Sequence, residues 1–130
     1  MRNAQPSVEE HLMESILITD DDSACRDTIK MALEREGYLV ESAAGVDDAL
    51  CAIHSRPFDL IVCDFRMPGK TGLELLAELH ERGPQIPVLM VSADADATTE
   101  ATLTKLGAAG LLKKPFRRQD LIDSVARAIH

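Results

Sequence analysis

Hydrophobic residues along this chain fall into short blocks that switch between two periods. Ser15–Thr19 (SILIT) is an apolar run that stops at Asp20-Asp21-Asp22. Over Ala24–Glu36 the apolar positions become Cys25, Ile29, Ala32 and Leu33, the spacing of one helical face. Asp22 or Ser23 is a ready cap for that helix, and Gly37 ends it. The alternation then repeats. Tyr38–Ala43 predicts a second strand, and Val46–His54 a helix with Val46, Ala49, Leu50 and Ile53 inward, broken at Arg56-Pro57. Leu60-Ile61-Val62-Cys63 predicts a strand buried on both faces; it stops at Asp64, and Pro68-Gly69 turn the chain. Thr71–Arg82 predicts a third helix with Leu75, Leu76 and Leu79 on one face, stopped by Gly83-Pro84. Val88–Val91 predicts a fourth strand ending at Ser92-Ala93. Ala97–Leu106 predicts a weakly amphipathic helix whose Thr98, Thr99 and Thr102 lower its propensity. Gly110–Leu112 predicts a short fifth strand ending at Lys113-Lys114-Pro115-Phe116. The fifth helix, Gln119–Ile129, should turn Leu121, Ile122, Val125 and Ile129 inward; its start, near Arg117 or Arg118, lacks a good capping side chain. Residues 1–14 are polar and patternless. They predict a flexible leader, with room for a helical turn over Val8–Met13, ahead of one domain over 15–130.

Five strand–helix units in strict alternation imply an α/β fold, a parallel sheet covered on both faces. Right-handed crossovers then put all five strand ends on one edge, where ligands bind in open sheets of this kind. To that edge the strands bring Asp20 and Asp21, Asp64, Ser92 and Lys114. Taken singly, each has an ordinary reading: a solvated helix start, a turn aspartate, a turn serine, a surface lysine. Taken together they carry chemistry. Three close carboxylates raise one another's pKa values, and a bound cation relieves the repulsion. An all-oxygen donor set suits Mg²⁺, or Mn²⁺, better than zinc. A cation beside a carboxylate, a hydroxyl donor and an ammonium is a phosphoryl-transfer arrangement in which the carboxylate attacks.

Composition narrows the setting. The 130 residues suffice for one core, and with 3% aromatics and no Trp that core must be aliphatic. Fourteen basic against 22 acidic residues leave a net charge of -8, which phosphate backbones repel, so direct nucleic-acid binding is not expected. No apolar run approaches the roughly 20 residues of a membrane span. Met1–Ser15 lacks the apolar stretch of a signal peptide. Cys25, Cys51 and Cys63 are odd in number without C-x-x-C spacing, which predicts reduced, half-buried thiols in a cytoplasmic protein. His11, His54, His80 and His130 show no zinc-ligand spacing.

Five stretches carry a family resemblance: ILITDDD (Ile16–Asp22), LIVCDFRMPG (Leu60–Gly69), VSA (Val91–Ala93), GAAG (Gly107–Gly110) and KKPF (Lys113–Phe116). In this order and spacing the chain resembles the CheY-like receiver domain of two-component response regulators, over about Ser15 to Ile129. The resemblance implies a flavodoxin-like (βα)5 doubly wound sandwich with strand order 2-1-3-4-5. It implies Asp64 as phosphoacceptor, and Asp20 and Asp21 as the Mg²⁺ pair, with Asp21 the more direct ligand. Arg66 would lend its backbone carbonyl to the metal. Ser92 would be the switch hydroxyl and Lys114 the partner of a phosphoryl oxygen, ahead of a cis Lys114–Pro115 peptide. Arg66 and Asp94 would flank the phosphoryl group; they are expected to pair across the site mouth and slow attack by water. The donor would be a sensor histidine kinase or a histidine phosphotransfer protein. The output would be a downstream partner or a detached output domain. The face of the fourth helix, fifth strand and fifth helix is the place for a homodimer or partner. It carries Lys105, Leu111, Lys113, Arg117 and Arg118, a basic patch on an acidic chain.

Two positions depart from the family pattern. Leu111 stands where many receivers carry a Tyr or Phe switch, and Thr71 where an acidic residue is common. Since no residues remain after Ile129 for a DNA-binding module, the expectation is a receiver acting through a partner, or a piece of a longer regulator. Its only expected catalysis is its own phosphorylation and dephosphorylation at Asp64. Two other readings compete: the same fold as a non-phosphorylated interaction module, and a phosphatase using Asp20 and Asp22 as an Asp-x-Asp nucleophile.

Overall fold

The computed structural model describes residues 14–66, 71–93 and 97–130. Strands β1 (Ser15–Thr19), β2 (Leu39–Ala43), β3 (Leu60–Asp64), β4 (Val88–Ser92) and β5 (Gly110–Lys113) alternate with five helices. These are α1 (Ser23–Arg35), α2 (Val46–Ser55), α3 (Gly72–Arg82), α4 (Ala97–Lys105) and α5 (Arg118–Ile129). All strand pairs are parallel, in the order β2-β1-β3-β4-β5. The chain thus folds outward from β1 to one edge and then crosses to the other, which puts the reversal between β1 and β3.

Strand alternation divides the core into two layers. Ile16, Ile18, Leu60, Val62, Leu89, Val91 and Leu112 pack under α1 and α5 with Ile29, Leu33, Leu121 and Val125. Leu17, Ile61, Cys63, Val88 and Met90 pack against α2, α3 and α4 with Ala49, Ile53, Leu75, Leu79 and Leu103. β1 and β3 are covered on both sides, which is why their sequences are continuously apolar. β2 is an edge strand, and its Leu39 is 55% exposed.

The helix ends follow local chemistry. Asp22 caps α1, its carboxylate accepting from the N–H groups of Ala24 at 3.0 Å and Cys25 at 3.3 Å. Gly37, at φ +96°, takes the left-handed turn after α1. Tyr38, expected in the second strand, instead bonds back to Leu33 and lies buried before β2 begins. Thr71 caps α3 through a 3.3 Å bond from the Glu74 N–H. Arg117 offers α5 no acceptor, as expected, but Asp120 closes that end by accepting the Arg117 N–H at 3.2 Å.

Some expectations need correction. On α5 the inward stripe is Leu121, Ser124 and Val125, and Ile122 is only half-buried. Leu121 and Val125 dock on the sheet one position round from Ile122, and the helix settles on that stripe. The three cysteines are not alike: Cys25 is half-buried, Cys51 exposed and Cys63 buried. Arg118, one residue of the expected basic patch, pairs with Glu36 at the end of α1, at 3.9 Å. The leader over 1–13, the turn residues 67–70 and Asp94 lie outside the described residues, so the expected Arg66–Asp94 pair does too.

Candidate functional site

The site grows from the ends of β1, β3 and β5. The end of β1 is held in place by backbone bonds. Asp20 N–H continues the pairing onto β2 by donating to Ala43 O at 3.2 Å. Its carboxylate turns to the α1/α5 side of the sheet and is 2% exposed. A charge so buried needs partners. Asp20 Oδ1 accepts the Asp22 N–H at 2.9 Å, and Oδ2 lies 3.5 Å from Lys114 Nζ. Asp21 points outward and is exposed.

Asp64 ends β3 with its side chain 12% exposed. Its Oδ1 accepts the Arg66 N–H at 3.3 Å, and its Oδ2 lies 3.4 Å from Lys114 Nζ. Burial, then the Asp20 charge, push the Asp64 pKa above the ordinary carboxylate value; Lys114 and the Arg66 N–H pull the other way and do not win. At Lys114, burial acts to lower the pKa, but Asp20 and Asp64 outweigh it and hold the ammonium above its ordinary range. One cation is thus shared between two acids. It stays charged, and at Asp64 it does not outweigh burial and the Asp20 charge.

Lys114 reaches this position because its own backbone is pinned. Its N–H donates to Ser92 O at 2.9 Å, tying the ends of β4 and β5. The Lys114–Pro115 peptide is cis. Ser92 is buried at the end of β4, beside Lys113 in register and one residue beyond Val91, the register partner of Asp64. Leu111 pairs with Met90 in register and packs inward against the α2–α4 layer.

Carboxylate oxygens of Asp20, Asp21 and Asp64 lie within 4.8 Å of one another. Three hard, anionic oxygens at such separations fit a small divalent cation that keeps part of its water shell. Mg²⁺ suits this donor set, and Asp20, Asp21 and Asp64 are the groups that would hold it.

Two neighbours were not among the expected site residues. Arg26 Nη1 donates to Asp20 O at 2.7 Å. Cys25, expected only in the core stripe, has its thiol beside Asp20 and Lys114. Burial, then a hydrogen bond to Asp20 and that residue's charge, push this thiol up to about 11, so it remains protonated. Both sit in the opening turns of α1, directly after the aspartate run. That position was the available signal, since the start of a helix following a strand end faces the same edge. Asp22, the second member of the Asp-x-Asp pair, is taken up as the α1 cap.

Comparison with known proteins places this geometry in context. A family model described as "Response regulator receiver domain" matches residues 16–126. The transcriptional regulatory protein TdiR of Thauera aromatica is 35% identical over 115 residues, covering 88% of this chain and 51% of that protein. The DNA-binding transcriptional regulator NtrC of Proteus hauseri is 33% identical over 115 residues, covering 88% of this chain and 24% of that protein. The chain therefore spans about half the length of the first of these curated relatives and about a quarter of the second. Among solved structures, a CheY-like receiver domain protein from Methanospirillum hungatei superposes with a TM-score of 0.83 at 34% identity, covering 89% of this chain and 93% of that one. The receiver domain of NtrX from Brucella abortus does so with a TM-score of 0.82 at 34% identity, covering 88% and 97%.

Proposed function

This chain belongs to the response regulator receiver domain family, and from that premise we propose that Asp64 accepts a phosphoryl group from a phosphohistidine. A carboxylate oxygen of Asp64 forms the new O–P bond as the donor's N–P bond breaks. The electron pair stays on the imidazole nitrogen, which takes up a proton. Mg²⁺, held by Asp20, Asp21 and Asp64, would supply charge neutralisation to the transfer.

The residues of the chain do the rest. The Arg66 N–H on Oδ1 and the Lys114 ammonium near Oδ2 orient the attacking carboxylate. The same ammonium neutralises a phosphoryl oxygen as charge moves outward during transfer. The Ser92 hydroxyl answers by turning to the new phosphoryl group, and the α4–β5–α5 face carries that response to a partner or output domain. Leu111 is already packed inward, so the response runs through the Ser92 loop and α4 rather than through an aromatic swing. A sensor histidine kinase or phosphotransfer protein in the cytoplasm is the donor. Among the described residues no helix is long and apolar enough to cross a membrane.

The observation that carries this reading is Lys114 Nζ at 3.4 Å from Asp64 and 3.5 Å from Asp20, at the edge where three carboxylates meet. The test is incubation with Mg²⁺ and acetyl phosphate, followed by intact mass and peptide mapping. The reading expects one hydroxylamine-sensitive phosphoryl group on Asp64, absent from Asp64→Asn. No mass gain would favour a plain interaction module. Turnover of phosphate esters with a phosphate on Asp20 would favour the phosphatase.

A further inference from the structure

Asp21 is the most exposed of the three clustered carboxylates. Among the described residues its carboxylate has no hydrogen-bond partner, whereas Asp20 is held at Oδ1 and near Oδ2. With no side-chain anchor, the range its carboxylate can reach is set by its backbone. The controlling unit is the peptide plane that joins Asp20 to Asp21, because rotating that plane swings the Asp21 Cα–Cβ bond.

One side chain grips that plane. Arg26 Nη1 donates to Asp20 O at 2.7 Å, a short, charge-assisted bond in a partly buried setting. Arg26 is itself anchored one turn into α1, its N–H donating to Asp22 O at 3.0 Å. Its side chain folds back past the helix cap to reach the carbonyl six residues earlier. The planes on either side are already fixed, by Asp20 N–H on Ala43 O and by Asp22 N–H on Asp20 Oδ1. The Asp20–Asp21 plane has Arg26.

We propose that Arg26 is a positioning residue for the acidic pair: by holding the Asp20 carbonyl it keeps the Asp21 carboxylate aimed at the cation. This rests on the reading above that Asp20, Asp21 and Asp64 hold Mg²⁺. It is distinct from a charge effect, which has the opposite sign. A guanidinium beside an acidic cluster repels a cation, so if charge dominated, removing Arg26 would tighten binding.

The test is Mg²⁺ titration calorimetry on wild type, Arg26→Met, Arg26→Lys and Asp21→Asn, with thermal melts of each in chelator. Arg26→Met should weaken Mg²⁺ on the order of tenfold, as loss of a ligand-orienting bond does. Arg26→Lys, which keeps a charged donor, should recover most of that loss. The Mg²⁺ dependence of phosphorylation by acetyl phosphate should move to higher concentration in step. A purely structural role would lower the melting temperature without this shift. If Arg26→Met does not fold, Arg26→Gln carries the same expectation, because its side chain is too short to reach the Asp20 carbonyl. Unchanged or tighter Mg²⁺ binding in the variant overturns the proposal while Asp21→Asn still loses binding. Wild type that binds no Mg²⁺, or Asp21→Asn that binds as wild type does, overturns the cation reading and this proposal with it.

Discussion

Lys114 Nζ stands 3.4 Å from Asp64 Oδ2 and 3.5 Å from Asp20 Oδ2, so one ammonium just past β5 serves a carboxylate at the end of β3 and one just past β1. β4 lies between β5 and β3, and the lysine stem must cross over it. A long, flexible side chain with a compact charge can do this; a planar guanidinium would need a matching fork of acceptors. The same reach explains the direction of the Asp64 shift. A single cation divided between two acids does not outweigh burial and the Asp20 charge at Asp64.

Lys114→Met should therefore cripple the reaction more than the fold. The side-chain volume is kept, and the charge opposite a transferring phosphoryl group is lost. Phosphorylation by acetyl phosphate, followed by intact mass, should slow on the order of a hundredfold, the usual cost of one such donor. A rate within a factor of about two of wild type would remove Lys114 from the chemistry.

Thr19 offers a test of stability alone. It is fully buried in β1, directly before Asp20, between Ala43 and Cys63 in register. Its hydroxyl has no hydrogen-bond partner among the described residues. Valine has nearly the same shape without the unsatisfied donor. Thr19→Val should stabilise by about 1 kcal/mol. For a chain of this length that is a rise in Tm of about 4 °C by thermal denaturation. A lower Tm would mean that the hydroxyl is satisfied in solution.

Much of this was legible in the residues, for identifiable reasons. β1 and β3 are central and doubly covered, so their apolar runs are unbroken and their ends sharp at Asp20 and Asp64. The site residues stand at strand ends, and topology alone carries strand ends to one edge. What escaped depends on how elements dock. Leu121, Ile122, Val125 and Ile129 contain two adjacent helical stripes, and only the sheet beneath α5 selects the one that includes Ser124. Arg26 draws no expectation from the sequence, and Arg118 is expected in the basic patch of the partner face. Their partners, Asp20 O and Glu36, are set by the docking of α1 against the site and against α5. Side chains whose roles lie on another element leave no periodic trace.

Gly72 tests how closely α3 must approach the acceptor strand. A Cβ there would sit 2.6 Å from Asp64 O, 3.1 Å from Phe65 Cα and 3.2 Å from Cys63 Sγ. Two of these are backbone atoms, which cannot rotate away. The Gly72 N–H also donates to Phe65 O at 2.9 Å, fixing the helix start to the segment after Asp64. Gly72→Ala should cost about 1–3 kcal/mol by urea denaturation, as overpacking does. It should also slow phosphorylation, because the shift falls on the peptide that carries Asp64. Normal stability with normal phosphorylation would show that α3 has room to spare.

The raised Asp64 pKa makes a prediction about pH, provided the cation is chelated. The folded chain holds the Asp64 proton more tightly than the unfolded chain does. Stability from this group is thus complete at low pH and is lost as pH rises from about 4 through the folded value. Once ionised, the carboxylate is a burden on the fold, since burial and Asp20 outweigh Lys114 and the Arg66 N–H. Asp64→Asn removes that burden and keeps the shape. In EDTA it should melt above wild type at pH 7, and the two curves should converge toward pH 4. Added Mg²⁺ should then raise wild type by mass action and leave Asp64→Asn nearly unmoved. If Asp64→Asn melts below wild type at pH 7, the Lys114 attraction dominates at Asp64. The acidic edge would then already be satisfied by its lysine, with little electrostatic drive to take up a cation.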